Sequence, residues 1–142
     1  MTAATGGCLC GAVRYAVSGP LRDVVACHCG RCRRTHGHYA AYAACAAGDL
    51  VIPPTDALRW YDEGGRARGF CGECGARPFW RAEGRDTVSI AAGTLDEPTG
   101  LRTVAHIFTR DQGDYYVIDG EGERFPGPLP PGFTGPRGPA AP

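Results

Sequence analysis

Short runs of apolar residues, rich in β-branched and aromatic side chains and bounded by Gly, Pro or Asp, recur along the chain and predict strands, and in two of them apolar and polar positions alternate. In one of them Val13, Tyr15 and Val17 share a face, and the residues around His106 alternate in the same way. No window keeps the helical spacing of apolar residues over three turns, so we expect at most one or two short helical turns, placed after Cys29. The predicted strands are residues 12–17, 39–44, 50–52, 57–61, 78–81, 87–91, 103–109 and 115–118.

The composition keeps these strands short and the core small. The chain has 142 residues, the size of one domain, and its 22 Gly and 12 Pro are about twice the usual load. A domain of such short strands buries little apolar surface, so we expect metal to supply part of its stability. The pattern and the composition together predict a single domain that is mainly β.

The last stretch of the chain has a different composition. Residues 126–142 contain seven Pro and four Gly, too few large apolar residues to order themselves. We therefore divide the chain into a folded domain at residues 1–125 and a Pro/Gly-rich tail at residues 126–142. The tail is expected to be solvated, with Phe125, Leu129 and Phe133 as its only candidate anchors.

The charge balance and the lack of long apolar runs exclude several classes of protein. Lys and Arg total 15 and Asp and Glu total 15, so the net charge is zero and a polybasic protein that binds nucleic acid or a membrane surface is disfavoured. No apolar run approaches the roughly 20 residues of a membrane-spanning helix. The first residues lack the basic and apolar segments of a secretory signal. We therefore expect a cytoplasmic protein without a membrane partner, in which disulfides are disfavoured.

Cysteine is the unusual residue of this composition. Eight Cys stand beside one Met, and seven of the eight fall into three tight clusters. Spacings of one or two residues let a single turn of backbone aim two sulfur atoms at one point about 2.3 Å away, and Zn²⁺ suits thiolates best among cytoplasmic ions. The clusters, which predict zinc ligands, are Cys8-x-Cys10, Cys27-x-Cys29-x-x-Cys32 and Cys71-x-x-Cys74.

Seven ligands divide naturally into four and three. A structural zinc site takes four protein ligands, whereas a catalytic site takes three and leaves one position open. We favour a division in which the middle cluster forms the open site. The structural site then consists of Cys8, Cys10, Cys71 and Cys74.

Two other divisions are open to the same residues. A zinc ribbon built from the last two C-x-x-C pairs would need a separation of 38 residues, which is unusually long, and would leave three Cys unexplained. Alternatively, His28 or His36 closes the middle cluster as a fourth ligand and both sites are structural. Cys45 stands alone in an Ala-rich strand and is interpreted as a small buried hydrophobe.

The motifs within residues 6–118, taken in order, resemble the glutathione-dependent formaldehyde-activating family, whose domain also occurs in centromere protein V. The resemblance implies a β-tent-like fold, a zinc-stapled single domain of several small curled antiparallel sheets. It also implies two Zn²⁺ per chain, in the four-plus-three division. The motifs are Gly7-Cys8-Leu9-Cys10-Gly11, Cys27-His28-Cys29, Cys32-Arg33, Phe70-Cys71, Cys74-Gly75, Ala92-Gly93-Thr94-Leu95-Asp96 and His106-Ile107.

The activity that the resemblance implies is the joining of glutathione, or another small thiol, to formaldehyde. The product is S-hydroxymethylglutathione, and the reaction is formally that of a carbon–sulfur lyase run in reverse. The expected partners are therefore a small-molecule thiol and an aldehyde. Cys27, Cys29 and Cys32 are the expected catalytic zinc ligands.

Four further residues are candidates for catalysis or binding. Arg33 matches the family's basic position after the third Cys, and together with Arg34 it is expected to bind a carboxylate-bearing thiol beside the anionic site. His106 matches the family's His-Ile and is the first-ranked residue to line the site. Thr94 follows Gly93 in a tight turn and offers a hydroxyl or an N–H group to an oxygen of the adduct.

A non-enzymatic zinc-binding module that contacts nucleic acid or protein is the alternative function. Arg31, Arg33 and Arg34 form the one local cluster of cations that such contacts would use. Affinity for nucleic acid needs several phosphate contacts, so this small cluster and a net charge of zero favour the enzyme.

Overall fold

Eleven strands, one α-helix and three 3-10 turns form the computed structural model, which describes residues 4–133. The helix α1 (Gly30–His36) begins after Cys29, where the sequence predicts helical turns. Its seven residues are too few to cross a bilayer, and the described residues contain no other α-helix. The strands are β1 (Ala4–Gly7), β2 (Arg14–Val17), β3 (Arg22–Cys27), β4 (Ala40–Ala46), β5 (Leu50–Val51), β6 (Leu58–Asp62), β7 (Arg66–Cys71), β8 (Phe79–Ala82), β9 (Thr87–Ala91), β10 (Thr103–Ile107) and β11 (Glu123–Arg124).

The strands of the described residues pair into a small sheet and a large one, which confirms the mainly β prediction. The small sheet has the order β1-β2-β5, and the large one the order β11-β10-β3-β4-β9-β8-β7-β6. Strand β10 runs parallel to both β3 and β11, whereas the remaining pairs are antiparallel as expected. The parallel pairing of β10 brings the chain after residue 107 to the end of β3, where the middle Cys cluster begins.

Strand β3 is missing from the predicted strands, although it lies inside the large sheet. Five of its six residues are buried, so its side chains are covered on both faces. Such a strand shows a continuous apolar run, here Val24-Val25-Ala26, instead of a period of two. Strands β1 and β7 were missed as well, because one is rich in Gly and the other carries Arg66 and Arg68.

The strand predicted at residues 115–118 is wrong. Residues 114 and 115 form a turn and residues 116–119 are irregular, with Tyr115 and Val117 largely exposed. The hydroxyl of Tyr116 lies 2.7 Å from His28 Nδ1, so this segment is held by a side-chain contact and not by a strand ladder. The edge of the sheet is occupied instead by β11, eight residues after Tyr115.

Residues 123–133, which we call the C-terminal strap, lie against the end of β10. The Phe108 N–H group donates to the Gly127 carbonyl at 2.9 Å, and the Phe125 N–H group donates to the His106 carbonyl at 2.8 Å. The rings of Phe125 and Phe133 meet edge to face at 5.6 Å. The structure thus describes the first eight residues of the predicted tail, of which Gly127 is hydrogen-bonded to the domain, and residues 134–142 lie outside the described residues. The division of the chain at residue 125 stays a prediction.

The apolar interior consists of two clusters, and each contains one group of cysteines. The larger one surrounds Cys8 and Cys71 and includes the fully buried Phe79 and Ile90. The smaller one contains Cys27 and Cys32 with Ala40 and Tyr42. Its partly buried neighbours are Cys29, Trp80, Ala91, Ile107 and Phe108. Cysteine sulfur is therefore part of the packed interior at both places.

Gly122 lies directly before the strap, against the backbone of β10. We expect its replacement to destabilise the fold more than the same replacement at Gly120. Both residues have positive φ, of 110° and 84°, but a Cβ at Gly122 would lie 2.9 Å from the Ala105 nitrogen, whereas one at Gly120 would meet nothing within 4 Å. We expect Gly120→Ala to lower the free energy of unfolding by about 1 kcal/mol and Gly122→Ala by about 3 kcal/mol. Urea unfolding at saturating zinc measures both, and equal losses would contradict the strap contact.

Candidate metal centres and the adjoining cleft

The first and last Cys pairs meet although they are far apart in sequence. Cys8 and Cys10 follow β1, whereas Cys71 ends β7 and Cys74 lies in the turn beyond it. All four sulfur atoms lie within 4.8 Å of one another, with Cys8–Cys10 at 3.6 Å and Cys10–Cys71 at 3.8 Å. Four sulfurs placed 2.3 Å from a tetrahedral zinc ion are about 3.8 Å apart, so this donor set fits zinc.

The middle cluster forms a second group at the junction of β3 and α1. Cys27 ends the strand, Cys29 caps the helix and Cys32 lies in its first turn. The Cys29 sulfur accepts a hydrogen bond from the Cys32 N–H group at 3.3 Å. The three sulfur atoms lie within 4.8 Å of one another, with Cys27 and Cys32 buried and Cys29 half-buried. Within the described part of the chain no fourth Cys, His, Asp or Glu joins this group.

The electrostatics of the three-Cys group fit a bound cation. Hydrogen bonds from Cys27 and Cys32 lower the pKa of the Cys29 thiol to about 2. The same hydrogen bonds to Cys29 and Cys32, together with burial, raise the pKa of the Cys27 thiol. The group by itself therefore holds one negative charge readily and resists a second, and a divalent cation supplies the charge that lets the remaining thiols ionise.

The four-Cys group contains a thiol that ionises easily at its outer edge. A hydrogen bond from the Ala76 N–H group lowers the pKa of Cys74 to about 6. The Cys8 sulfur accepts from the Val13 N–H group at 3.2 Å, and the Cys71 sulfur accepts from the Glu73 N–H group at 3.4 Å. Such N–H donors favour the thiolate form that a zinc ion binds.

The grouping of the cysteines is the four-plus-three division that the sequence favours. The ribbon division does not match it, because its two C-x-x-C pairs lie in different groups. Neither His28 nor His36 belongs to the middle group. Both ring nitrogens of His28, and Nε2 of His36, contact other residues. Cys45 is buried in β4 outside both groups, in agreement with its interpretation as a hydrophobe. The structural and catalytic roles of the two groups stay predictions.

His28 and His106 form a buried hydrogen-bonded pair behind the three-Cys group. His106 Nε2 lies 3.0 Å from the Glu121 carbonyl oxygen, which only accepts, so this nitrogen carries the proton. His28 Nε2 then donates to His106 Nδ1 at 3.0 Å, and the Tyr116 hydroxyl donates to His28 Nδ1. Burial, with the nearby His106 and His38, lowers the pKa of His28 to about 4, which fits this neutral form. The pair therefore ties the Cys27–Cys29 turn to the loop before the strap.

A cleft of about 690 Å³ opens beside the three-Cys group, a volume typical of small-molecule sites. All three cysteines line it, together with residues from β3, β4, β7, β8, β9, the end of β10 and the strap. Its cations are Arg22, Arg31, Arg66, Arg68 and Arg85, and its single acidic residue is Asp111. Its other lining residues are Val25, Gly30, Tyr42, Trp80, Ala82, Ser89, Ile107, Phe108, Pro128 and Leu129.

Arg68 is the buried cation of this cleft. It is 6% exposed, and among the described residues no other arginine is buried. Its Nε donates to Glu63 Oε1 at 3.3 Å, and its Nη1 lies 3.5 Å from the Tyr42 hydroxyl. Tyr42 packs against Cys27 and Cys32, so Arg68 places positive charge next to the thiols.

The four further candidates of the sequence lie outside the residues that line the cleft. Arg34 is exposed, and Arg33 Nε donates to the Asp111 carbonyl at 3.2 Å. His106 belongs to the buried pair described above. The Thr94 hydroxyl donates to the Ala91 carbonyl at 2.7 Å and contacts Tyr15, beside the other Cys group. Their functional roles stay predictions, and the structure brings none of the four into the wall of this cleft.

Three of the cleft arginines that sequence reasoning missed lie on strands it missed, and the fourth, Arg85, lies in the turn after β8. Arg66 and Arg68 are two residues apart on β7, so the period of a strand puts them on one face. Arg22 begins β3, which shows no alternation. A predicted strand at β7 would have placed Arg66 and Arg68 on the same face. The neighbouring residues in the sequence, however, do not indicate that this face lies beside the three-Cys group.

The chain is similar to known proteins in sequence and in fold. A family model described as "Glutathione-dependent formaldehyde-activating enzyme" matches residues 3–111. No protein with curated annotation matches the chain. Among solved structures, a Rhodobacter sphaeroides protein determined by structural genomics is similar with a TM-score of 0.58 and 24% identity, covering 84% of this chain and 98% of that one. That likeness supports the fold alone.

The two Cys groups are expected to bind about one zinc ion each, and single substitutions should remove them separately. Cys32→Ser should retain about one zinc per chain and an unfolding transition close to that of the unsubstituted protein. Cys74→Ser should lose the other zinc and at least about 3 kcal/mol of stability, because that site joins distant elements. Cys45→Ala is the matched control and should keep both ions. Metal analysis by mass spectrometry gives the content, and zinc loss in the Cys45 variant would contradict the grouping.

Proposed function

The chain belongs to the glutathione-dependent formaldehyde-activating enzyme family, and from this membership we propose that it joins glutathione to formaldehyde. The observation that carries the proposal is the three-Cys group in the wall of a cleft rich in arginine. A sulfur-rich metal site beside cationic side chains suits a thiol that carries carboxylates. The product would be S-hydroxymethylglutathione, so the reaction is that of a carbon–sulfur lyase run in reverse.

The proposed reaction forms one bond and needs no oxidant. The thiol sulfur attacks the carbonyl carbon, the carbon–sulfur bond forms, and the oxygen that receives the carbonyl π electrons takes up the proton released by the thiol. A zinc ion held by Cys27, Cys29 and Cys32 would have one position left, where it would lower the pKa of the substrate thiol and hold its sulfur. The cleft contributes by orienting the thiol, and orientation alone is worth several powers of ten in rate.

The arginines of the cleft are the reason why we propose an anionic thiol as the substrate. Glutathione carries carboxylates at both ends and is a net anion at neutral pH. Arg66 and Arg85 have no carboxylate of the described residues within ion-pair distance, so they are available to a ligand. Arg68 is held by Glu63 and Tyr42, and its fixed charge offsets the thiolates of the site.

The cytoplasm is the proposed location of this reaction. Its reducing conditions keep the seven clustered thiols free for metal, in line with the absence of disulfides among the described cysteines. The partners of the proposed reaction are the small thiol and the aldehyde.

Loss of the three-Cys group should abolish catalysis while the fold is retained. In Cys32→Ser, we expect the rate at which glutathione and formaldehyde exchange with their adduct to fall to the uncatalysed rate, because the substrate sulfur is no longer held. Two-dimensional NMR exchange spectroscopy, run beside a protein-free sample, measures this rate, and circular dichroism checks the fold. Cys45→Ala should exchange like the unsubstituted protein. Normal turnover in the Cys32 variant would refute the proposed function.

The cleft arginines should act on the carboxylates of the thiol and not on its sulfur. Arg85→Gln is expected to raise the KM for glutathione about threefold to tenfold and to leave the KM for 2-mercaptoethanol, which has no carboxylate, unchanged. Arg102→Gln is the control, since Arg102 is exposed, pairs with Glu121 and lies outside the cleft lining. Equal changes for both thiols would show that Arg85 does not bind the carboxylates.

A further inference from the structure

The cleft has two sides of different chemistry. Arg66 and Arg68 lie on β7 and Arg85 follows β8, whereas Ile107 ends β10. In the sheet order, β3, β4, β9 and β8 separate β10 from β7, so these residues stand on opposite sides of the opening. The side at β10 carries four apolar residues, Ile107, Phe108, Pro128 and Leu129, with the acidic Asp111 beyond Phe108. The other two cations of the lining, Arg22 and Arg31, belong to β3 and α1. The side at β7 therefore suits carboxylates, and the apolar part of the side at β10 suits hydrocarbon.

The strap holds its part of the apolar side in place through backbone hydrogen bonds. Phe125 donates to His106 and Phe108 donates to Gly127, at 2.8 Å and 2.9 Å, and the Thr109 N–H group donates to the Phe125 carbonyl at 3.1 Å. Pro128 and Leu129 follow Gly127 directly. These two residues are thus positioned by the ladder that extends β10 and not by chance contact of a loose tail.

The apolar side adjoins the three-Cys group. Ile107 is paired with Cys27 in the parallel register of β10 and β3, and both Ile107 and Phe108 pack against the cluster of Cys27 and Cys32. A thiol whose carboxylates lie along the arginines and whose sulfur reaches the cysteines has this apolar side next to its sulfur. The carbon that an aldehyde adds to that sulfur would lie near Ile107 and Phe108, and Leu129 lines the same cleft.

We propose that this chain takes thiol adducts in which that carbon carries an apolar substituent, and that Leu129 contacts the substituent. The inference rests on the proposed function, because it places the thiol in the same cleft. A hydroxymethyl group from formaldehyde has one carbon and leaves an apolar wall of this kind uncovered, whereas the adduct of an alkyl aldehyde would cover it. The same bonds change as in the reaction with formaldehyde: the carbon–sulfur bond forms, and the thiol proton passes to the carbonyl oxygen. Pro128 and Leu129 lie beyond residues 3–111, the part that the family model matches, so the strap's share of this wall is additional to that part.

Binding of stable adduct mimics tests the proposal on the full-length, zinc-loaded protein. Isothermal titration calorimetry compares S-methylglutathione with S-propylglutathione, which differ by two methylene groups. Burial of these groups against the wall should make the S-propyl compound bind about tenfold more tightly. The gain should fall below about twofold in Leu129→Ala, which removes the contact, and in Leu129→Asn, which keeps a similar size without apolar surface. Val117→Ala, at an 82% exposed position outside the cleft lining, should keep the tenfold gain.

Two results would overturn the inference while the proposed function stands. One is equal binding of the two compounds by a protein that binds glutathione and accelerates adduct exchange. The other is a preference for S-propylglutathione that persists in both Leu129 variants, because the contact would then lie elsewhere. A protein that binds neither glutathione nor its S-alkyl derivatives would refute the proposed function and this inference together.

Discussion

The rest of the structure depends on the clustering of seven thiol sulfurs into two compact groups. Within each group the sulfur atoms lie within 4.8 Å of one another, a distance at which several thiolates repel strongly unless a cation stands between them. The four-Cys group joins the turn after β1 to the end of β7 and thereby connects the small sheet to the large one. In a domain with few long apolar strands, this connection replaces part of the hydrophobic core.

The three-Cys group repeats this clustering of thiols in the wall of a cleft. Cys27 is the last residue of β3, which lies between β10 and β4, so the first sulfur is fixed by a strand with partners on both sides. The next two sulfurs belong to the cap and first turn of α1. All three cysteines line the cleft, whose walls also contain Arg68 and the strap residues Pro128 and Leu129.

Local signals predicted the strands and sites whose chemistry is contained in a few neighbouring residues. The strands predicted at residues 12–17 and 87–91 correspond to β2 and β9, and the spacing of the cysteines indicated their four-plus-three division. Local signals do not indicate elements that are held by contacts between distant segments. Strand β3 is buried on both faces and lacks alternation, and the pattern at residues 115–118 belongs to a loop held by the Tyr116–His28 contact.

The sequence by itself determined the mainly β class, the thiol chemistry and the family, because spacing within a turn of backbone is a local property. Only the tertiary structure decided which side chains face the three-Cys group. Arg33 and Arg34 are its neighbours in sequence, yet the cleft is lined by arginines of β3, β7 and the turn after β8 together with Arg31. The composition of the strap predicts a solvated tail, yet the strap lines one side of the cleft. Its order comes from hydrogen bonds to the end of β10. Such bonds join segments that are distant in sequence, so neither segment alone shows a pattern that predicts them.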